Sequence, residues 1–185
     1  MSKPVATSRS SATAANCGVP AVGSIPHIYA ETLSRLIGVK IAVVPYRGGA
    51  PIAQDLAAGQ LALGSSAPAD FSALHKAGQL TIVASSGTAR HPSFADVPTF
   101  AELGLKGLEA NGWNGFFLHG NAPAALAGLY TRVILDAVRE PSARAKLVDL
   151  GFIPVDLNAE AFITALNADK ELWTRLIREA DIKLN

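Results

Sequence analysis

Val44-Pro45-Tyr46-Arg47-Gly48-Gly49-Ala50-Pro51-Ile52-Ala53-Gln54-Asp55-Leu56-Ala57-Ala58-Gly59-Gln60 decides the reading of this chain. Its apolar start reads as a strand end, Gly48-Gly49 as a turn, and the remainder as a short helix. Pro51 opens that helix and Gly59 closes it, the usual order at helix termini. A glycine turn entering a helix leaves backbone N–H groups unpaired. Such a turn can hold an anion without any charged side chain.

The flanking pattern extends this unit in both directions. Ile28, Leu33, Leu36 and Ile37 have helical spacing, and Gly38 stops that helix. Residues 39–44 form a short β-branched apolar run, a buried strand. Residues 61–63 read as a second strand, 69–77 as a helix capped by Gly78, and 81–84 as a third strand. Strands alternating with short helices predict an α/β fold with a mostly parallel sheet flanked by helices.

Residues 85–98 are rich in Ser, Gly, Arg, His and Pro and read as a loop. Thr99 is expected to cap a short helix ending near Gly104. Residues 109–118 read as extended and aromatic. Pro123 opens a long helix over 122–140, and Pro141 opens another that ends at Gly151. Residues 152–155 predict a short strand. Asn158 caps a final helix with the stripe Phe162, Leu166, Trp173, Leu176, Ile177 and Ala180. The composition shifts near residue 108, from short strands and small residues to long helices. The expected organisation is a flexible lead-in over 1–15, an α/β lobe over 16–108, and an extended stretch with C-terminal helices over 109–185.

Composition narrows the function. Of 185 residues, 49% are apolar and 17% charged, which suits a globular chain with a real core. The net charge of +1 provides no electrostatic footprint for nucleic acid. No apolar run is long enough to span a bilayer. The Ser-, Thr- and Ala-rich start lacks the central apolar block of a secretory signal. Cys17 is the only cysteine and has no internal disulfide partner.

The candidate chemistry is sparse. His27, His75, His91 and His119 never pair at metal-ligand spacing, so neither a metal nor any other cofactor is expected. Ser24 and His27 could be read as a nucleophile and base, but no Gly-x-Ser-x-Gly elbow surrounds Ser24. A serine three residues before a helical residue is more often an N-cap. Ser85-Ser86-Gly87-Thr88 lacks the Lys-Ser/Thr ending of a phosphate loop and reads as a turn. The remaining reading is anion binding by backbone. Gly23-Ser24 and Gly48-Gly49-Ala50 each precede a helix, and the Ser24 hydroxyl and His27 can add donors. The alternative is that these glycines only make tight turns.

Tyr46-Arg47-Gly48-Gly49-Ala50-Pro51 with Asp55-Leu56 and Gly59-Gln60 resembles the Bug/TctC family. These are extracytoplasmic solute-binding receptors of tripartite tricarboxylate-type transporters. Gly23-Ser24-Ile25-Pro26-His27, Lys76-Ala77-Gly78-Gln79-Leu80, Asp96-Val97-Pro98-Thr99-Phe100-Ala101-Glu102, Trp113-Asn114-Gly115-Phe116 and Ala180-Asp181-Ile182-Lys183-Leu184-Asn185 follow the family's order. The resemblance covers residues 16–185. It implies a periplasmic-binding-protein-like (type II-like) lobe plus the C-terminal part of a second lobe, with the extended stretch over 109–118 as a crossing strand between them. It also implies a non-enzymatic receptor that binds a small carboxylate and works with membrane transporter subunits. Carried over by position, the ligand would meet Gly23, Ser24 and His27 in the upstream loop, then Tyr46, Gly48, Gly49 and Ala50. Ser65, Ser66 and Trp113 complete the set. Trp113 reads equally as core packing, and Tyr46 as a strand-end hydroxyl on a backbone carbonyl.

The chain also departs from the family pattern. Val19 and Ala21 stand where the family loop is richer in Ser and Gly. Ser65 and Ser66 replace Phe and Asp. The resemblance implies longer relatives that carry an export signal and an N-terminal half-lobe, so this chain reads as starting inside the second lobe. Family membership implies a periplasmic location; a true start at Met1 would imply a cytoplasmic one. The helices after residue 122 would then expose an apolar face or pair it with another chain. Two other functions stay open: a ligand-silent remnant or interaction protein, and a small α/β enzyme acting on a carboxylate.

Overall fold

The structure, a computed structural model, describes residues 15–179. The lead-in up to residue 14 and the terminal motif from Ala180 lie outside the described residues. Three parallel strands form the sheet: β1 (Ala15–Val19), β2 (Ile41–Pro45) and β3 (Leu63–Gly64), in the order β2-β1-β3. Helix α1 (Ile25–Ile37) links β1 to β2. Helix α2 (Gly49–Ala57) then carries the chain past β1 to β3, and α3 (Pro68–Lys76) follows.

Strand alternation divides the core into two layers. Cys17 and Val19 pack with Ala30 of α1 and with Ile41, Leu33, Val43 and Leu63. On the opposite face Ile52, Ala53, Leu61 and Phe71 pack with Val44, Tyr46, Leu56 and Leu74. Two glycines set how closely α2 approaches. Gly18 and Gly64 are partners across the β1–β3 ladder. A Cβ on Gly18 would lie 2.7 Å from Leu61 Cδ1 and 3.0 Å from Ile52 Cγ2; one on Gly64 would lie 2.5 Å from Leu56 Cδ1. Ile52 fills this bare patch and is 0% exposed.

Strand β1 is the main departure from the sequence reading, which ran a lead-in and loop through this stretch. Asn16 and Gly18 interrupt its apolar pattern, but pairing on both edges overrides local preference. Helix α2 starts at Gly49, so Pro51 is its third residue rather than its first. The missing N–H still falls in the turn where it would have no helical partner. The expected strand at 81–84 carries no ladder; Ser85 makes only an isolated bridge to Thr99. Thr99 and Glu102 do form a capping box, with Thr99 N–H on Glu102 Oε2 at 2.7 Å and Glu102 N–H on Thr99 Oγ1 at 3.2 Å. The residues beyond it make turns rather than a helix. Residues 109–118 and 152–155 have no strand partner among the described residues.

The second half of the chain is helical. It contains α4 (Ala124–Arg139), α5 (Pro141–Asp149) and α6 (Ala159–Glu179). Asn158 caps α6 as expected, accepting from Ala161 N–H at 2.9 Å. Helix α6 packs against α1, where the Trp173 ring meets Tyr29 edge-to-face at 5.9 Å, and Leu176 on α6 is buried. Helix α4 buries no residue, and Leu126, Leu129, Tyr130 and Val133 form an exposed apolar stripe along it.

Candidate functional site

Parallel strands end on one edge of the sheet, and the register places the ends of β1, β2 and β3 together there. Loop hydrogen bonds tie the following residues to β1. Tyr46 N–H donates to Val19 O at 2.8 Å, Gly48 N–H to Pro20 O at 3.3 Å and Ser65 N–H to Gly18 O at 2.9 Å. The starts of α1, α2 and α3 thus share one rim. Helix α1 packs on one face of the sheet and α2 on the other, so the connections from β1 and β3 leave toward opposite faces, the arrangement at which open α/β sheets commonly bind ligands.

At the start of α1, Gly23 takes a φ of 76°, a region that favours glycine. Ser24 is the N-cap. Its Oγ accepts weakly from His27 N–H at 3.4 Å and donates to Ala21 O at 2.7 Å. Gly23 N–H donates to His27 Nδ1 at 2.9 Å, which puts the proton of the neutral ring on Nε2. That nitrogen lies 3.7 Å from Glu31 Oε1. Gly23, Ser24 and buried His27 therefore interlock, and each already has a partner within the chain.

At the start of α2, Gly48 has a φ of 102° and no side chain caps the helix. The Tyr46 hydroxyl donates to Asp55 Oδ2 at 2.6 Å rather than to the backbone carbonyl considered from sequence. This bond to a carboxylate, with a smaller contribution from desolvation, holds the Tyr46 phenol above its ordinary pKa. Asp55 lies on α2, so the pair ties the end of β2 to the helix that follows it.

Asp70 is the residue that the sequence reading missed. Ser66 Oγ donates to Asp70 Oδ2 at 2.5 Å. A Cβ on Gly49 would lie only 2.0 Å from that same oxygen, so the carboxylate rests directly against the first residue of α2. The resemblance expected an acidic residue near position 66; here a carboxylate is delivered one helical turn later, from α3. The four-residue spacing of Ser66 and Asp70 around Pro68 was the available signal.

Trp113 is engaged elsewhere. Its indole N–H donates to Asp169 Oδ2 at 2.7 Å, and its ring meets Phe162 of α6 at 5.1 Å, nearly perpendicular. Only the backbone beside it borders the rim. A Cβ on Gly112 would lie 3.6 Å from Ile25 Cδ1, and the Tyr29 hydroxyl donates to Ala110 O. Of the ten sequence-derived site residues, nine lie in the connections that leave β1, β2 and β3, at or beside the starts of α1, α2 and α3, while the Trp113 side chain turns toward α6.

Other chemistry has little support. Among the described residues no three His, Cys, Asp or Glu side chains cluster as metal ligands, and no helix is long and apolar enough to cross a membrane. Burial pushes the Cys17 thiol up to about 11, which keeps it protonated and unreactive at neutral pH. A shallow hollow of about 540 Å³ lies between α4 and the start of α6, lined by Arg132, Arg139 and Asn158. It is not part of the rim.

Comparison with known proteins bears on this geometry. The family described as "Tripartite tricarboxylate transporter family receptor" matches residues 1–182. The UPF0065 protein in the TAR-I ttuE-ttuC' intergenic region of Agrobacterium vitis is 27% identical over 179 residues, 95% of this chain and 52% of that protein. Protein BugT of Bordetella pertussis is 26% identical over 165 residues, 89% of this chain and 50% of its own length. The solved structure of R. palustris Rpa4515 with adipate superposes with a TM-score of 0.85 at 27% identity. That match covers 91% of this chain and 56% of the other. The chain thus spans about half the length of these two relatives.

Proposed function

This chain belongs to the tripartite tricarboxylate transporter receptor family, and we propose that it binds a small carboxylate at the carboxyl edge of its parallel sheet. The family is one of receptors rather than enzymes. The observation that carries the proposal is the convergence of three helix starts, α1, α2 and α3, at the ends of β1, β2 and β3. Unpaired N–H groups at helix starts favour anions. The solved relative with adipate supports the ligand class.

The proposed contacts are Gly23, Ser24, Gly48, Gly49, Ala50, Ser65 and Ser66; the Gly23, Gly48 and Ser65 N–H groups and the Ser24 hydroxyl would exchange their present partners for the ligand. His27 and Tyr46 hold the turns in place through their bonds to Gly23 and Asp55. Trp113 orients the passing backbone from its seat on α6. The α/β unit over 16–108 is one lobe of the receptor, and the segment from 109 belongs to a second. Delivery to membrane transporter subunits in the periplasm completes the reading, without metal or cofactor.

Thermal melting against mono-, di- and tricarboxylates tests it. A ligand that binds only the folded state raises apparent stability by about 2.7 kcal/mol at a hundredfold excess over Kd. A shift with one or a few acids supports the reading. A cooperative melt that no acid moves contradicts it.

The apolar stripe on α4 favours a second reading, an interaction protein that has lost ligand binding. A concentration-dependent mass by light scattering together with no ligand response would favour it. A monomer that binds carboxylates would dismiss it.

A further inference from the structure

We propose that Asp70 is a specificity-determining residue of the carboxylate site, excluding a second ligand carboxylate from the α2 turn. The inference rests on the receptor reading given above and narrows its ligand class. The Asp70 carboxylate lies against Gly49, where a Cβ would come within 2.0 Å of Oδ2 and 2.6 Å of Oδ1. Only a residue without a side chain admits it there. Ser66 Oγ donates to Oδ2, so one of the rim hydroxyls is already committed. Among the described residues no Lys, Arg or His forms an ion pair with Asp70; the four ion pairs lie elsewhere and leave out Arg47, the neighbour of the turn.

The rim is therefore electrostatically uneven. The α1 start has a capping hydroxyl and no acidic residue in its first turn. The α2 start has the protein's own carboxylate against it. Two carboxylates held a few ångströms apart without a cation repel strongly where water is scarce. A ligand that reaches from one turn to the other is then an acid whose far end is neutral or cationic, rather than a symmetrical dicarboxylate. Rejection of the wrong partner by like charge is an ordinary source of specificity.

Calorimetry on the whole chain with three six-carbon acids tests this: hexanoate, 6-aminohexanoate and adipate. The expected result is that adipate binds at least about tenfold more weakly than 6-aminohexanoate. Asp70→Asn should reduce that ratio to near unity or reverse it. Gly49→Ala, which drives a methyl group into the carboxylate, should move the ratio the same way; it gives an independent readout if Asp70→Asn fails to fold. Adipate binding as tightly as 6-aminohexanoate, or a ratio unchanged in both variants, would overturn the inference. The receptor reading would survive that result, because acid binding itself would have been seen. No binding of any of the three acids to the folded chain would overturn the receptor reading and this inference with it.

Discussion

Ile52 and Leu129 are both aliphatic residues on amphipathic helices, one on α2 and one on α4, yet they have opposite surroundings. Ile52 is sealed against Gly18 and Gly64 and is 0% exposed, whereas Leu129 is 45% exposed on a helix that buries nothing. The same contrast runs through the molecule. The first half closes two apolar layers over a parallel sheet. The second half presents the stripes of α4 and the extended residues Ile153, Val155 and Leu157 to solvent. Amphipathic pattern is equally strong in both, so pattern alone does not decide burial; a sheet face must be present to receive it.

The largest effect expected from this contrast is in stability. Ile52→Ala should lower the free energy of unfolding by about 2–5 kcal/mol. Leu129→Ala should change it by less than about 0.5 kcal/mol. Urea denaturation of the two variants measures the difference directly, and a large loss for Leu129→Ala would show that its face is covered in solution. Glycines sharpen the same comparison. Gly18→Ala should destabilise by about 1–3 kcal/mol, because its methyl group meets Leu61 and Ile52. Gly128→Ala, mid-helix in α4 with nothing within 4 Å of a Cβ, should instead stabilise by about 0.5–1 kcal/mol. Melting temperatures moving in the same direction for both would refute the assignment of packed and open faces.

Smaller effects follow at the helix starts and at the junction. Ser24→Ala removes the N-cap of α1 and should cost about 1 kcal/mol by denaturant titration. It should also weaken acid binding; unchanged affinity in calorimetry would remove Ser24 from the site. Tyr29 joins the two halves through Ala110 and Trp173, and burial pushes its phenol up from 10.0 to about 12. A raised folded pKa means that its contribution is complete below pH 10.0 and is lost as pH rises toward about 12. Cys17, raised from 9.0 to about 11, acts in the same direction from a lower starting point. Tyr29→Phe should therefore flatten the upper part of the alkaline unfolding curve followed by circular dichroism, and an unchanged curve would contradict this.

Much of the fold was legible because its signals are local. Ser24 and Gly38 bound α1, Pro123 and Pro141 introduce α4 and α5, and Asn158 caps α6; each acts on its own neighbours. What was hidden depends on distant partners. Strand β1 contains Asn16 and Gly18 and looks like a loop until β2 and β3 pair with its edges. Residues 81–84 and 152–155 look like strands but have no ladder partner among the described residues. At the candidate site the glycine turns and Ser65-Ser66 were visible as turn chemistry. Asp70 was not, because only the fold of α3 brings its carboxylate against Gly49. Trp113 was assigned to the site by position in the chain, while its side chain is held by Asp169 and Phe162 across 56 and 49 residues of sequence.

The most direct test is an amide chemical-shift map recorded while titrating whichever acid raises the melting temperature most. Binding at the sheet edge predicts saturable shifts concentrated at Gly23, Ser24, Gly48, Gly49, Ala50, Ser65 and Ser66, with the amides of α4 unmoved. Shifts confined to α4 and the start of α6, or spread evenly without saturation, would contradict a carboxylate site at that rim.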